Sequence, residues 1–436
     1  MQKNILIIAK ESTQEAVNAC LNLNFHVEAS KGVNLVKVKR YDLVIFDTDG
    51  FTGSRERDKR SIFEFLYRKK IGYIVLSSEK DIQAVLQAKH YGARDFISKP
   101  YNYREFILRL LAVVHKKVRI SCIGGGTGLF SLLLGLKSLP GILVTSIVNM
   151  SDDGGSSGKL RASFGMLPPG DVRRSLVALS NAPELMNEVM RHRFKKGEEF
   201  IGHSFGNLFL TALTEIKGSM SEAVKAMGDI LNIQGIVLPV TDKETTLCAE
   251  FSDGLKVRGE SKIDIAEGRC PEMPIKKIWH EPQVHCGADV YSAIINANFI
   301  IIGPGDLFTS VATNLLVKGI SEAIINTAAK KIYVCNLMTE PGETANFDAY
   351  NHIREIVNYL GGDYLDYVIV SNTKLTPKAI EEYAKKKQHP VEIGKLEKIA
   401  RLTAAKIILA DVGHEEELVR HDSEKIRKEI NKILNL

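Results

Sequence analysis

With 436 residues, 44% of them hydrophobic and 25% charged, the chain has room for two or three domains with sizeable cores. No apolar run approaches the roughly 18 residues of a membrane span, and the start lacks the apolar segment and cleavage site of a signal peptide, so a cytoplasmic location is expected. The net charge of +6 sits at the front: residues 1–117 carry 21 Lys/Arg against 13 Asp/Glu, the remainder 37 against 39. A solvated surface accounts for this balance better than nucleic-acid binding does.

The front segment alternates. Strand-like runs at 4–8, 25–29, 43–46, 73–76 and 95–97 are interleaved with helical runs at 13–23, 62–70, 81–91 and 104–116, and a weaker one at 32–39. Strand and helix in strict alternation predict a small doubly wound parallel sheet over residues 1–117. A new apolar run at 118–123 follows with no low-complexity linker, so a second α/β domain is expected over 118–436. There strands at 118–123, 143–148, 299–302 and 331–335 each run into a loop rich in Gly, Asn or Asp. Alternating residues around 246–259 suggest an antiparallel excursion, and a charged amphipathic helix closes the chain at 422–436. The six cysteines are scattered with no Cys-x-x-Cys pair, which excludes zinc spacing and argues for incidental thiols.

The loops carry the chemistry. Gly124-Gly125-Gly126-Thr127-Gly128 ends a strand and opens a helix, where free backbone N–H groups and the helix dipole favour an anion. It is neither a Walker A loop nor a full dinucleotide fingerprint, and a tight strand-to-helix turn is its plain alternative. After the next strand come Asn149, Asp152, Asp153, Ser156 and Ser157, among glycines. Adjacent carboxylates beside a phosphate loop suit Mg²⁺ or a general base; an Asx-capped turn is the plain alternative. Asp171 is expected to cap the helix that follows it. His203 and Asn207 open another helix, and no Ser-His-Asp partner arrangement is visible. Gly303-Pro304-Gly305-Asp306-Leu307-Phe308-Thr309-Ser310 is a second anion-loop candidate. Several such loops at strand ends fit one crevice at the edge of an open sheet.

The runs 123–128, 152–160, 167–171, 202–208, 303–310 and 335–344 resemble the signature blocks of the gluconeogenesis factor (YvcK-like) family, relatives of the CofD-like phospholactate transferases. The likeness spans about residues 118–436. It implies a Rossmann-like fold that binds UDP-sugars such as UDP-N-acetylglucosamine, and a role in cell shape and wall synthesis during gluconeogenic growth. The ligand-binding set it implies is Gly124–Gly128, Asn149, Asp152, Asp153, Ser156, Ser157, Asp171, His203, Asn207, Gly303, Gly305, Phe308, Thr309, Ser310, Asn336 and Arg420. In the transferase branch the residue matching Asp153 serves transfer with a divalent metal. Two departures stand out: the family has Ser where Asp306 stands, and Tyr where Phe308 and Phe347 stand.

Residues 1–117 resemble a response-regulator receiver domain. Asp47, Ser77, Phe96 and Lys99-Pro100 match the acceptor, switch hydroxyl, switch aromatic and Lys-Pro of that pattern. The acidic pair expected after the first strand is replaced by Ala9 and Lys10, which removes the carboxylates that hold Mg²⁺ for phosphoryl transfer. The front domain therefore reads as a degenerate receiver used for docking, with Lys10 near Asp47. The whole chain reads as a regulatory UDP-sugar-binding protein acting through cell-wall or signalling partners, with homo-oligomerisation open. The alternative is a transferase that moves a phosphate-linked group from a nucleotide diphosphate donor to a hydroxyl.

Overall fold

Short runs, too short for helices, build the front sheet, its inner strands apolar and buried on both faces: β1 (Asn4–Ile8), β2 (His26–Ser30), β3 (Leu43–Asp47), β4 (Tyr73–Ser77) and β5 (Asp95–Ser98). All its ladders are parallel and the order is β2-β1-β3-β4-β5, one of the two common doubly wound orders. Every residue of β3, β4 and β5 is buried, whereas edge strand β2 is largely exposed. Ile5, Ile7, Ile45, Leu76 and Ile97 pack against Phe106 and Leu110 of helix Tyr103–Val114. Asp81 and Asn102 cap helices Ile82–His90 and Tyr103–Val114, each accepting from a backbone N–H three residues on.

The computed structural model describes residues 2–9, 14–30, 41–49, 56–265, 270, 272–415 and 418–435. The weak helical stretch expected at 32–39 lies outside them. The described chain divides into two units: Met1–Arg119 with Gly141–Leu143 and Gly287–Asn296, and the remainder. In the first unit, helix Ala288–Ile295 joins the sheet through buried polar contacts. Ser292 Oγ donates to Phe96 O (3.0 Å), and Arg109, itself buried, forks onto Asp95 at 2.6 and 3.0 Å.

The second unit is built on β6 (Val118–Gly124), β7 (Ile142–Val148), β8 (Ile236–Pro239), β9 (Thr246–Phe251), β10 (Lys256–Arg258), β11 (Ile275–Glu281), β12 (Phe299–Ile302), β13 (Lys330–Val334), β14 (Tyr367–Ser371) and β15 (Lys406–Ala410). Seven of these form one sheet in the order β15-β14-β13-β12-β6-β7-β8, while β10-β9-β11 is the antiparallel excursion. Ladders β15-β14-β13-β12-β6 and β7-β8 are parallel. From β6 the chain steps to β7 on one side and later to β12 on the other. The carboxyl ends of β6 and β12 therefore flank a topological switch point, where open α/β sheets place their ligands. The fold class expected from sequence, a (βα) receiver-like sheet followed by a Rossmann-like sheet, is the one observed. No helix among the described residues is long and apolar enough to cross a membrane.

Candidate functional site

Glycine decides how closely the two switch-point loops approach. A Cβ on Gly128 would stand 2.8 Å from the carbonyl carbon and oxygen of Pro304, so backbone packs on backbone where the β6 and β12 loops meet. Gly126 has φ +67°, a conformation that side chains resist. The N–H of Gly303 donates to Ile123 O at 2.9 Å, and that of Asn149 to Gly124 O at 3.2 Å, tying three strand ends together.

Against these loops lies a cavity of about 460 Å³. Gly126, Thr127, Gly128, Gly305 and Asp306 form one wall; Asn336, Leu337, Met338 and Glu340, which follow β13, form another. Tyr383, Lys386, Gln388 and the segment Leu418–His421 complete it. Of the ligand-binding residues expected from sequence, Gly126, Thr127, Gly128, Gly305, Asn336 and Arg420 line this space. Arg420 is exposed on the short strand Val419–His421, and Asn336 is only 8% exposed with a buried Oδ1 that meets no donor among the described residues.

The other expected residues form an adjoining hydrogen-bonded network. Asp171 does not cap its helix as expected. Helix Gly170–Leu179 starts one residue earlier, and the Asp171 carboxylate instead accepts from Gly126 N–H (3.0 Å) and from Arg174 (2.7 Å). A loop amide in need of an acceptor outcompetes a local cap, and this protein carboxylate occupies part of the anion cradle. A Cβ on Gly125 would meet Asp171 Oδ2 at 2.4 Å. Asp152 accepts from Gly154 N–H at 2.9 Å, the Asx turn foreseen as the plain reading. Asp153 Oδ1 accepts from Ser261 N–H at 2.8 Å, at the start of helix Glu260–Ile265. Among the described residues no three His, Cys, Asp or Glu side chains are grouped to hold a metal ion, around Asp153 or elsewhere. Ser156 Oγ is shared by His203 Nδ1 and Asn207 Nδ2, each at 3.1 Å, and Asn207 Oδ1 accepts from the buried Arg173. Ser157 is buried against Asp152, to which it donates, and burial with the Asp171 charge raises the Asp152 carboxyl.

Phe308 is buried edge-on to Phe347 and Tyr359, an apolar contact rather than a cavity wall. It belongs to a π-helical turn, Leu307–Ala312, a rare form that often marks functional segments. Glu343 caps that turn: its carboxylate accepts from the N–H groups of Phe308 (2.9 Å) and Thr309 (3.3 Å) and from Thr309 Oγ1 (2.6 Å). Thr309 O in turn accepts from Asn149 Nδ2, and Ser310 Oγ would lie 3.6 Å from a Cβ on Gly126.

Sequence reasoning missed three carboxylates, Glu260, Glu340 and Glu343, and gave Asp306 no role of its own. Glu260, half-buried beside Asn149 and Ser151, is pushed well above the usual range by desolvation and then by Asp152 and Asp171. Glu343 is pushed up in the same way, by burial and then by Asp306 and Asp264. Burial raises Asp306 to about 6, helped by Asp264 and Asp171, and raises Glu340 to about 7, helped by Asp306 and Asp264. Asp306 stands out in the sequence as part of the second anion-loop candidate and as a departure from the family, but not as a raised carboxylate. Glu340 and Glu343 lay inside a recognised block without standing out, and nothing in the sequence near Glu260 shows its distant partners.

The front unit carries its own cluster. Lys99 Nζ bridges Asp47 (2.6 Å) and Asp49 (2.9 Å), and Asp49 accepts from Ser78 N–H and Oγ. Asp47 is 2% exposed, and burial raises it against the pull of Lys99. Ser77 Oγ is engaged by Thr48 Oγ1 at 2.8 Å. Lys10, expected near Asp47, lies outside the described residues.

Residues 120–412 match the family described as 2-phospho-L-lactate transferase CofD. The chain belongs to the CofD family. Its CofD-family relatives include a "Putative gluconeogenesis factor" of Thermotoga maritima, 40% identical over 319 residues that cover 72% of this chain and 99% of that one. The "Gluconeogenesis factor" of Bacillus subtilis is 39% identical over 71% of this chain and 96% of its own. A crystal structure from Bacillus halodurans, described as a member of the upf0052 family, superposes with a TM-score of 0.68 at 39% identity, over 72% of this chain and all but 1% of that one.

Proposed function

We propose that the second unit binds a UDP-sugar of the UDP-N-acetylglucosamine class, and that the protein is a regulator of cell shape and wall synthesis under gluconeogenic growth. One observation carries this reading: a single cavity gathers both Gly-rich strand-end loops with Asn336 and Arg420 at a topological switch point. Its volume suits a nucleotide-sized ligand. In this arrangement the diphosphate lies along residues 126–128 and 305, and Arg420 reaches the sugar-nucleotide from the far wall. The front unit is a docking module for cell-wall or signalling partners, and the protein works in the cytoplasm.

Mass spectrometry of small molecules released from the purified full-length protein tests the reading. A UDP-sugar near one equivalent is expected. Repeated recovery of a chemically unrelated ligand would overturn it. The family's printed description as a transferase sustains a second reading, in which Asp153 serves group transfer to a hydroxyl. Consumption of a nucleotide diphosphate donor that vanishes in Asp153→Asn, with affinity retained, would favour it.

A further inference from the structure

Strand β5 is the last strand of the front sheet and pairs with β4 on one side only. A strand edge presents backbone groups ready to pair with another strand. Here side chains meet them. Ser98 N–H donates to Asp289 Oδ1 at 3.2 Å, and Phe96 O accepts from Ser292 Oγ at 3.0 Å and from Arg109 at 2.7 Å. Asp289 and Ser292 stand three residues apart on helix Ala288–Ile295, so one helical face supplies both. Arg109 also donates to Ser292 Oγ at 3.3 Å and lies 3.8 Å from Asp289. Just beyond the helix, Lys89 Nζ donates to Asn296 Oδ1 at 2.7 Å. Tyr291, Ser292 and Ile294 are buried.

The segment held in this way leads to the ligand loops. Gly287–Asn296 belongs to the first unit, whereas Cys286 before it and Ala297 after it belong to the second. Two residues past Ala297 the chain enters β12, which runs into Gly303–Gly305. The other two strands that end in the Gly-rich loops also begin in the first unit. Val118 and Arg119 of β6 and Ile142 and Leu143 of β7 lie there, while the carboxyl ends of both strands lie in the second unit. Val118 N–H donates to Gly141 O at 3.0 Å, joining the two starts. Strands of seven, seven and four residues separate these starts from the loops, at about 3.3 Å per residue. Close packing makes such buried strands stiff, so a shift at the amino end reaches the carboxyl end. On the other side of the held edge, Ser98 adjoins Lys99, whose Nζ bridges Asp47 at 2.6 Å and Asp49 at 2.9 Å.

We propose that Asp289 and Ser292 are positioning residues for the ligand loops, and that the front unit controls those loops through them. While Lys99 holds Asp47 and Asp49, the end of β5 is fixed and keeps helix Ala288–Ile295 in place. The helix in turn fixes the start of β12. An event that draws Lys99 from its carboxylates frees Ser98, then the helix, then the loop that β12 carries. Linkage makes the effect reciprocal, so a ligand on the loops tightens the helix on β5. Segment 287–296 lies inside the stretch shared with the CofD family, whereas the front sheet precedes that stretch, so this control is an addition made in this chain. Only the ligand arm of the inference rests on the proposed function; the control of loop mobility does not.

Hydrogen–deuterium exchange of the full-length protein, read by mass spectrometry, tests the control without a ligand. Asp289→Ala with Ser292→Ala, and separately Lys99→Met, should each speed exchange roughly fivefold or more in the helix and in residues 303–310. Ser292→Ala alone, the mildest change, should do so in part. Ile7→Ala weakens the front core three strands away from β5 and should leave 303–310 unchanged. Adding Lys99→Met to the double variant should change 303–310 no further, because both act through one contact. Calorimetry with UDP-N-acetylglucosamine should show binding weakened about fivefold or more in the double variant and in Lys99→Met. Unchanged exchange at 303–310 in the double variant, equal acceleration by Ile7→Ala, additive effects of Lys99→Met, or unaltered UDP-sugar affinity in variants that bind it would overturn the inference. Faster exchange at 303–310 by the expected pattern, with no UDP-sugar binding even by the wild type, would leave it standing and overturn the proposed ligand instead.

Discussion

Asp47 and Asp306 are both carboxylates pushed up by burial, and their neighbours give them opposite fates. Asp47 has Lys99 at 2.6 Å, a fixed cation that already neutralises it, and the residue after the first strand is Ala9 rather than an acid. One ammonium cannot bridge acceptor and phosphoryl oxygens as a divalent ion does. Phosphorylation by acetyl phosphate and Mg²⁺ should therefore be slow or absent by mass spectrometry, and Ala9→Asp with Lys10→Asp should increase Mg²⁺ affinity; rapid labelling of the unmodified Asp47 would refute this. Among the described residues Asp306 has no such partner within 4 Å. Its folded value of about 6 lies above the unfolded one, so the folded state binds the extra proton. The associated stability is complete below the ordinary carboxylate range and is lost as pH rises through 6. In EDTA, thermal melts of D306S should accordingly gain on the wild type between pH 5 and pH 8, by roughly 1–3 kcal/mol. A gap that shrinks over that range would contradict the assignment. The sequence displayed Asp47 and Asp306 at strand ends, but not which side chains each would meet, because Lys99 and Glu340 come from other strands' loops.

At the scale of elements, strands were the legible part. Runs such as 43–46 and 299–302 are apolar throughout because parallel strands bury both faces, and their lengths exclude helices. The π-helical turn at Leu307–Ala312 was not legible, since Glu343, more than thirty residues away, satisfies its first amides. Glu343→Ala removes three hydrogen bonds and orphans two buried N–H groups, a loss of about 2–4 kcal/mol expected in urea denaturation. A change below about 0.5 kcal/mol would mean that the turn holds itself. In the front unit, Arg109 and Asp95 are a buried pair each about 5% exposed. Burial would raise Asp95, but Arg109 and Arg119 outweigh it and hold it below the usual range. Its contribution is present above the ordinary value and fades as pH falls through the folded one. Arg109→Met strands the carboxylate, with an expected cost of about 3–5 kcal/mol at pH 7 that shrinks toward pH 4; a pH-independent cost would point to packing instead.

On the scale of the molecule, the order of strand and helix was enough to foresee two α/β sheets, and the glycine loops were enough to locate the switch point of the second. Two features escaped. Segment Gly287–Asn296 belongs to the first unit through contacts such as Arg109 with Ser292, 183 residues apart, and no local pattern encodes a pairing that distant. The cavity also draws Tyr383, Lys386, Gln388 and Leu418 from surface segments that carry no motif, because a wall needs shape more than a signature. The account turns on that cavity holding a UDP-sugar. Calorimetric titration of the full-length protein with UDP-N-acetylglucosamine in Mg²⁺, beside Arg420→Ala, tests it most directly. One site per chain is predicted, weakened at least tenfold in the variant. Absence of heat at millimolar ligand, or identical binding by Arg420→Ala and wild type, would contradict the account.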